Sequence, residues 1–135
     1  MISPDQFRVN EAWIAVRINE EFLLVQDEPY DIYVLVDAAS CYVLGHVLSR
    51  EVDEAPKEKD VKDLFQAAFQ AKNQWAEILI LTGNSPSDIV FRKQAEQEGL
   101  SIKIVYSSDL EPILGPLKES FASDFMRSST YRDRE

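Results

Sequence analysis

The stretch DIYVLVDAASCYVLGHVLSR, residues 31–50, decides the fold of this 135-residue chain. Its pattern predicts two apolar strands joined by the short turn Ala38-Ala39-Ser40. Both faces of the first strand are apolar, which is typical of an interior strand that is covered on two sides. In the second strand, Gly45 predicts either a β-bulge or the close approach of another element. The stretch therefore predicts a hairpin inside a sheet with a layer packed on each face.

The composition predicts one globular domain over residues 1–127, followed by a flexible charged tail over residues 128–135. The chain is 45% hydrophobic and 28% charged, as in ordinary soluble domains. It has no apolar run near the roughly 20 residues of a membrane span, and its start lacks the pattern of a signal peptide. A single cysteine excludes an internal disulfide bond. We therefore expect a cytoplasmic protein without a membrane partner.

The charge is strongly acidic, with 24 Asp and Glu residues against 14 Lys and Arg residues and a net charge of −10. Such a surface repels phosphate backbones, and no Lys/Arg cluster marks a local basic patch. The charge therefore argues against a nucleic-acid partner. The simplest role for the excess acid is to keep the protein in solution.

The segments before residue 31 predict further strand structure. Residues 12–18 alternate with one strongly apolar face, which indicates a strand. Residues 22–25 predict either a second short strand or a bent continuation of the first after Asn19. Residues 26–30 are acidic and contain a proline, so they predict a loop.

Beyond residue 50, helical and strand patterns alternate. Helical spacing of Val61, Leu64 and Phe65 predicts an amphipathic helix over residues 58–73. A buried strand over residues 77–82 is followed by a helix with Ser85 as N-cap, Pro86 as first residue and Gly99 just past its end. The next strand covers residues 102–106.

The last helix is interrupted by proline. Pro112 and Pro116 fall within a helical apolar period, and proline breaks a helix interior. We therefore expect a turn over residues 109–114, then a helix that begins at Pro116 and ends near Met126. The later alternation of strand and helix requires parallel strands, whereas the opening hairpin is antiparallel. The fold class predicted is α/β, with a mixed five-stranded sheet and helices on both faces.

This element order, together with two sequence segments, resembles the ribonuclease-H-like superfamily. The branch it resembles is the catalytic core of retroviral-type integrases and transposases. Small bacterial domains with a degenerate form of that pattern look most similar. The segment VLVDAASCYVLGHVLS resembles the family's strand pair, with Asp37, Ser40 and Gly45 in place. The segment EILILTGNSPSDIVFRKQAEQEGLSIKIVYSS resembles the part from the second catalytic strand onward. The resemblance implies a three-layer ribonuclease-H-like fold over residues 12–126.

The family's chemistry depends on three carboxylates that bind one or two Mg²⁺ ions. In the alignment that the resemblance implies, the first acid falls on Val16 and the second on Gly83. Only Glu119, on the last helix, could supply the third. Because neither valine nor glycine can ligate Mg²⁺ through a side chain, the resemblance implies no catalysis and no cofactor.

A second alignment makes residues 31–37 the first strand of the fold, with Asp37 as the first catalytic acid and Glu119 or Glu111 as another. The protein would then be a metal-dependent nuclease that uses Mg²⁺, although its second position would still be Gly83-Asn84. Both carboxylates would have to reach one common ion. The plainer interpretation is that Asp37 hydrogen-bonds its own turn.

Two other groups of residues have the chemistry of a possible site. Gly83, Asn84, Ser85 and Ser87 end a strand and open a helix, where backbone N–H groups could bind a small anion or nucleotide. That corner matches no phosphate-binding fingerprint and would need a cation such as Arg92 or Lys93.

Cys41 and His46 form the second group. They are five residues apart on one predicted strand, and we expect them on opposite faces, which excludes a metal pair.

These observations predict a non-catalytic, integrase-core-like domain that acts as a protein-interaction or structural module. Its partner would be another protein or a second copy of the chain. The alternatives are the nuclease that uses Asp37 and Glu119, and the anion binder at the corner of residues 83–87.

Overall fold

The computed structural model describes residues 1–19 and 23–133, and of these the side chains of residues 23 and 124–133 are not described. The strands are β1 (Ala12–Arg17), β2 (Leu23–Val25), β3 (Glu28–Asp37), β4 (Val43–Arg50), β5 (Ile78–Leu81) and β6 (Ser101–Ile104). The helices are α1 (Glu58–Lys72), α2 (Pro86–Gln97) and α3 (Glu111–Asp133). Short 3-10 turns cover Pro4–Gln6, Glu51–Asp53 and Ser107–Leu110.

The described strands form one mixed sheet, whose order across is β4, β3, β1, β5, β6. β1 pairs antiparallel with β3 and parallel with β5, and β5 pairs parallel with β6. β4 pairs antiparallel with the other side of β3. The predicted mixed sheet is therefore confirmed, with β1 as its central strand. The described sheet has six strands and not the predicted five, because β2 also pairs with β3.

β2 continues the line of β1 along β3. Tyr30 lies between Leu23 of β2 and Arg50 of β4, just as Tyr33 lies between Arg17 of β1 and Val47 of β4. β1 and β2 therefore lie on the same side of β3, end to end.

Asn19 follows the end of β1 and bonds to β3 through its side chain. Its side-chain oxygen accepts a hydrogen bond from the Ile32 N–H at 2.8 Å, in place of a backbone carbonyl. The second short strand, one of the two alternatives predicted for residues 22–25, is confirmed by β2, whereas residue 22 lies outside the described residues.

The predicted loop over residues 26–30 is wrong. Only Gln26 and Asp27 form the turn, both with positive φ (51° and 67°), and β3 already begins at Glu28. A two-residue turn with positive φ matches the twist of a tight hairpin, so β2 and β3 need no longer connection.

The hairpin of β3 and β4 contains the predicted bulge. Leu35 pairs with Gly45 but Val36 pairs with Val43, so the register shifts by one residue and Leu44 is extra. A Cβ atom added at Gly45 would lie 2.6 Å from Cδ1 of Leu64 on α1. Both expectations for Gly45 are confirmed, because the bulge and the close approach of α1 occur together.

The two faces of the sheet carry separate apolar cores. One lies against α1 and α2 and includes the buried rings of Trp13, Phe65 and Phe91. The other lies against α3 and includes Ile14 and Ile113. The sheet is therefore the middle layer of three, as predicted.

The first two helices follow their predicted boundaries because their end signals are local. α1 covers Glu58–Lys72, with Asn73 in the left-handed conformation as its C-cap. At the start of α2, the Ser85 side chain accepts a hydrogen bond from the Asp88 N–H at 3.2 Å. Past its end, Gly99 has φ 86°, and the Leu100 N–H donates to the Ala95 carbonyl, which is a Schellman motif.

The predicted start and end of the last helix are wrong. α3 begins at Glu111, continues through Pro116 and extends to Asp133, beyond Met126. The proline removes one backbone hydrogen bond, but the turn before it buries Ile113 and Leu114 against the sheet. Burial of these two side chains in helical geometry favours one continuous helix over the predicted turn.

The flexibility assigned to residues 128–135 stays a prediction, and residues 134–135 lie outside the described residues. Among the described helices, none is long and apolar enough to cross a membrane.

Candidate functional site

Asp37 lies at the end of β3, opposite Trp13 near the start of β1. This is the edge of the sheet at which the parallel strands β1 and β5 begin, and we call it the amino edge. The opposite edge, where β1 and β5 end and Gly83 follows, is the carboxyl edge. Asp37 is fully buried at the amino edge, with 0% of its surface exposed.

Both carboxylate oxygens of Asp37 are engaged in hydrogen bonds. One accepts from the Asn10 N–H at 2.7 Å. The other accepts from the N–H and the hydroxyl of Ser40, at 3.0 Å and 2.6 Å. The expectation that Asp37 hydrogen-bonds its own turn is therefore confirmed. The same carboxylate also fixes a segment 27 residues earlier in the chain.

Asn10 extends this network to two further elements, and sequence reasoning missed it. Its side-chain oxygen accepts from the Trp13 indole N–H at 2.7 Å, and its side-chain nitrogen donates to the Gln74 carbonyl at 3.2 Å. Asn10 itself has φ 66°. Asparagine tolerates this conformation better than most residues, but that preference alone could not have revealed its partners.

Asp37 and Glu119 lie on opposite faces of the sheet. Asp37 follows Tyr33 and Leu35 in alternation on the face of α1 and α2, whereas Glu119 belongs to α3 on the other face. Within residues 1–19 and 23–133, no group of three or more His, Cys, Asp or Glu side chains could hold a metal ion. β1, and not β3, pairs in parallel with β5.

The two positions that the resemblance assigns to catalytic acids contain no ligating group. The side chain of Val16 is only 6% exposed and packs in the core against α3. Gly83 follows β5 at the carboxyl edge. A Cβ atom there would meet only an oxygen of Asp88, at an ordinary 3.5 Å, so no close packing requires glycine.

The corner formed by residues 83–87 already has its own anion. The Asp88 carboxylate accepts from the Ser85 N–H at 3.1 Å and from the Ser85 hydroxyl at 2.8 Å. It therefore occupies the start of α2, where an external anion would bind.

The cations that the corner would need are paired elsewhere. Arg92 contacts Glu96 at 3.2 Å, and Lys93 contacts Glu58 at 2.9 Å. Asn84 and Ser85 are exposed, whereas Ser87 is buried under β3.

Ser87 links α2 to the sheet and to the segment after β4. Its hydroxyl lies 2.7 Å from the Tyr33 hydroxyl and donates to the Glu54 carbonyl at 3.2 Å. Burial of the Tyr33 phenol raises its pKa above the usual value, which outweighs the opposing effect of the hydrogen bond to Ser87. These contacts make Ser87 a structural residue of the corner.

The expectation that Cys41 and His46 lie on opposite faces is wrong. Cys41 belongs to the turn, with φ 61°, and packs toward the α3 core, whereas His46 pairs with Val34 on that same face. The bulge adds one residue between them and so reverses the alternation. Burial, reinforced by the charge of Asp37, raises the pKa of the Cys41 thiol, which therefore remains protonated near neutral pH and is not an activated nucleophile.

Comparison with solved structures finds proteins of similar fold, among them two retroviral ones. The first is a chain of the simian T-cell lymphotropic virus intasome in complex with PP2A regulatory subunit B56 gamma, with a TM-score of 0.62 and 10% identity. The match covers 94% of this chain but only 43% of that one, so the chain spans less than half its length.

The second is the HTLV-2 integrase catalytic core domain in complex with magnesium, in its dimeric form, with a TM-score of 0.52 and 13% identity. This match covers 85% of this chain and 73% of that one. No family model and no curated protein matches the sequence. At these identities the likeness shows the fold alone, which is the ribonuclease-H-like fold of integrase catalytic cores.

Proposed function

We propose that this protein is a non-catalytic, integrase-core-like domain that works as a protein-interaction or structural module. The observation that carries the proposal is the pair of positions where the family resemblance requires acids. Val16 is sealed in an apolar core, and Gly83 has no side chain. A two-metal mechanism requires carboxylates that converge on the ion, and these positions offer none.

The remaining acid of the strand pair has another use. The Asp37 carboxylate accepts three hydrogen bonds at the amino edge of the sheet and is closed off from solvent. Because donors of the same chain already engage both oxygens of this buried carboxylate, it is poorly placed to bind a metal ion. The nuclease alternative therefore gains no support from Asp37, and Glu119 lies on the opposite face.

An interaction role has support from the surface. Large apolar side chains stand exposed along β4, and the simian virus intasome structure contains a protein partner, PP2A regulatory subunit B56 gamma. The net charge of −10 favours a protein partner over nucleic acid. A cytoplasmic location and the absence of a metal cofactor belong to the same proposal.

The test is an assay for cleavage and strand transfer on labelled duplex DNA with Mg²⁺ or Mn²⁺. The proposal predicts no product above the level seen with Glu119→Gln, which removes the one carboxylate that the first alignment leaves at a catalytic position. Metal-dependent product from the wild-type protein that disappears in Glu119→Gln would overturn it. A circular-dichroism spectrum of each variant shows that both proteins are folded.

A further inference from the structure

The outer edge of β4 is the longest open strand edge in the described sheet. β4 has eight residues and pairs only with β3 among the described strands, whereas the strand at the other edge, β6, has four. An open edge presents unpaired backbone N–H and C=O groups to which another strand can bond. Proteins commonly keep such edges short or protect them with lysine, proline or a bulge. β4 has no lysine or proline, and its bulge at Leu44 lies near its start, so residues 45–50 pair regularly with β3.

Some apolar side chains of β4 lie on the face of α3 but are not covered by that helix. On β3, Ile32 and Val36 are buried on the face of α3. Their partners on β4, Leu48 and Val43, lie on the same face but are 43% and 40% exposed. The apolar surface on this face therefore includes β4, although α3 buries side chains only as far as β3.

Beside β4, a shallow groove of about 500 Å³ is lined by residues 45–48 of the strand, including His46 and Leu48, and by α1. Its lining includes the apolar Leu64 and Ala67, with Asp60 and Asp63 beside them on the same helix. Within the part of the chain that the structure describes, neither aspartate forms an ion pair. We call this groove the acidic groove. Its chemistry suits a Lys or Arg side chain whose stem packs on the apolar lining while its charge meets the carboxylates.

Building on the interaction role proposed above, we propose that β4 docks an extended segment of a partner protein in which basic and apolar residues alternate. The segment adds as a strand to the edge. Its alternate side chains then point to opposite faces, so the basic ones enter the acidic groove and the apolar ones cover Val43 and Leu48. A second copy of this chain does not fit, because pairing two β4 edges would bring both acidic grooves, on chains of net charge −10, toward each other.

The test measures binding of a capped, fluorescent peptide of alternating lysine and valine, about seven residues long to match β4. Three comparison peptides isolate the features required. One has the same composition with the lysines in a single block, one alternates glutamate with valine, and one carries N-methyl groups that remove half of its backbone donors. The proposal predicts that only the peptide of alternating lysine and valine binds tightly and that all three comparison peptides bind weakly.

Two double variants separate local from general charge. Asp60→Lys with Asp63→Lys should weaken binding about tenfold or more. Glu96→Lys with Glu119→Lys changes the net charge equally on α2 and α3, and should weaken it about twofold or less. Equal losses in both double variants would reduce the effect to non-specific attraction and overturn the proposal.

Hydrogen exchange distinguishes strand addition from charge pairing alone. The amides of β4 should exchange more slowly in the complex, because strand pairing bonds those that face outward. Binding without protection of β4, or no binding at all, would overturn strand addition at this edge. Neither result would bear on the non-catalytic role, which the DNA cleavage assay tests separately.

Discussion

The two edges of the sheet differ in which of the residues that resemble the family's catalytic acids they carry. At the amino edge, the Asp37 carboxylate is buried and accepts three hydrogen bonds that connect the hairpin turn to Asn10. At the carboxyl edge, where the resemblance expects metal ligands, the chain has Gly83 and an apolar Val16. The acid that most resembles a catalytic residue therefore stabilises the fold, at the edge where no catalytic site is expected.

The difference shows how a carboxylate becomes structural. The Asp37 carboxylate is surrounded by hydrogen-bond donors. Replacing it with an apolar side chain therefore leaves these donors, among them the buried Asn10 N–H, without an acceptor. The carboxyl edge has its own acid, Asp88, but that residue caps α2 and is bonded to Ser85. Acids at both edges therefore serve backbone and hydroxyl donors of the same chain.

The largest effect is expected at the amino edge. Asp37→Ala should lower the free energy of unfolding by about 3 kcal/mol, because it leaves the buried Asn10 N–H and the partly buried N–H and hydroxyl of Ser40 without their acceptor. Urea denaturation at pH 7 measures the change. Glu119→Ala is the control, and because Glu119 is exposed it should change stability by less than about 0.5 kcal/mol. Similar losses in both variants would contradict the contrast between the edges.

At the carboxyl edge, Tyr33→Phe should cost about 1 kcal/mol at pH 7 through the lost hydrogen bond to Ser87. The variant should also change the response to alkali. The folded-state pKa of Tyr33 is raised above 10.0, so its contribution is fully present below pH 10 and is lost as pH rises through the folded pKa.

The unfolding free energy of the wild-type protein should therefore fall more steeply above pH 10 than that of Tyr33→Phe. Urea midpoints collected between pH 8 and pH 11 give both slopes. Tyr106→Phe, in which the same hydroxyl is removed from an exposed ring, is the matched control. An identical slope in all three proteins would show that the Tyr33 phenol titrates as it does in the unfolded chain.

Ser85→Ala tests the helix cap and should lower the unfolding free energy by about 1 kcal/mol. The physical reason is that the Asp88 N–H loses its acceptor and the capping box opens. Ser120→Ala, on an exposed part of α3, is the control and should change stability by less than about 0.5 kcal/mol. A stabilisation of the wild-type protein by millimolar phosphate would show instead that Asp88 leaves the corner open to anions.

The smallest effect is expected for Gly83→Asp. A side chain at this position meets only an oxygen of Asp88 at 3.5 Å, so the unfolding free energy should change by less than about 1 kcal/mol. The variant should still gain no Mg²⁺-dependent increase in Tm, because Val16 remains in the core. Differential scanning fluorimetry with and without Mg²⁺ gives both results. An increase in Tm with Mg²⁺ would show that the edge needs only one acid to bind metal.

Elements with local signals could be predicted from the sequence. The boundaries of α1 and α2 follow from apolar spacing and from caps within a few residues, such as Ser85 with Asp88 and Gly99 past the helix end. The bulge at Gly45 was also visible, because glycine within a strand marks either irregular pairing or close packing.

Features that depend on distant partners could not be predicted. The start of α3 at Glu111 depends on burial of Ile113 and Leu114 against the sheet, which outweighs the proline. The role of Asn10 depends on donors and acceptors up to 64 residues away along the chain. For the site, the absence of catalytic acids at Val16 and Gly83 stays a prediction of the resemblance, and the hydrogen bonds that connect Asp37 to Asn10 could not be predicted.

The most direct test of the central claim is a titration with Mg²⁺ or Mn²⁺ followed by thermal unfolding. A metal ion that binds only the native state raises Tm by mass action. The account predicts no saturable increase at millimolar metal in the wild-type protein, in Asp37→Asn or in Glu119→Gln. A saturable increase in the wild-type protein that disappears in Asp37→Asn or in Glu119→Gln would contradict it and identify a metal site built on that carboxylate.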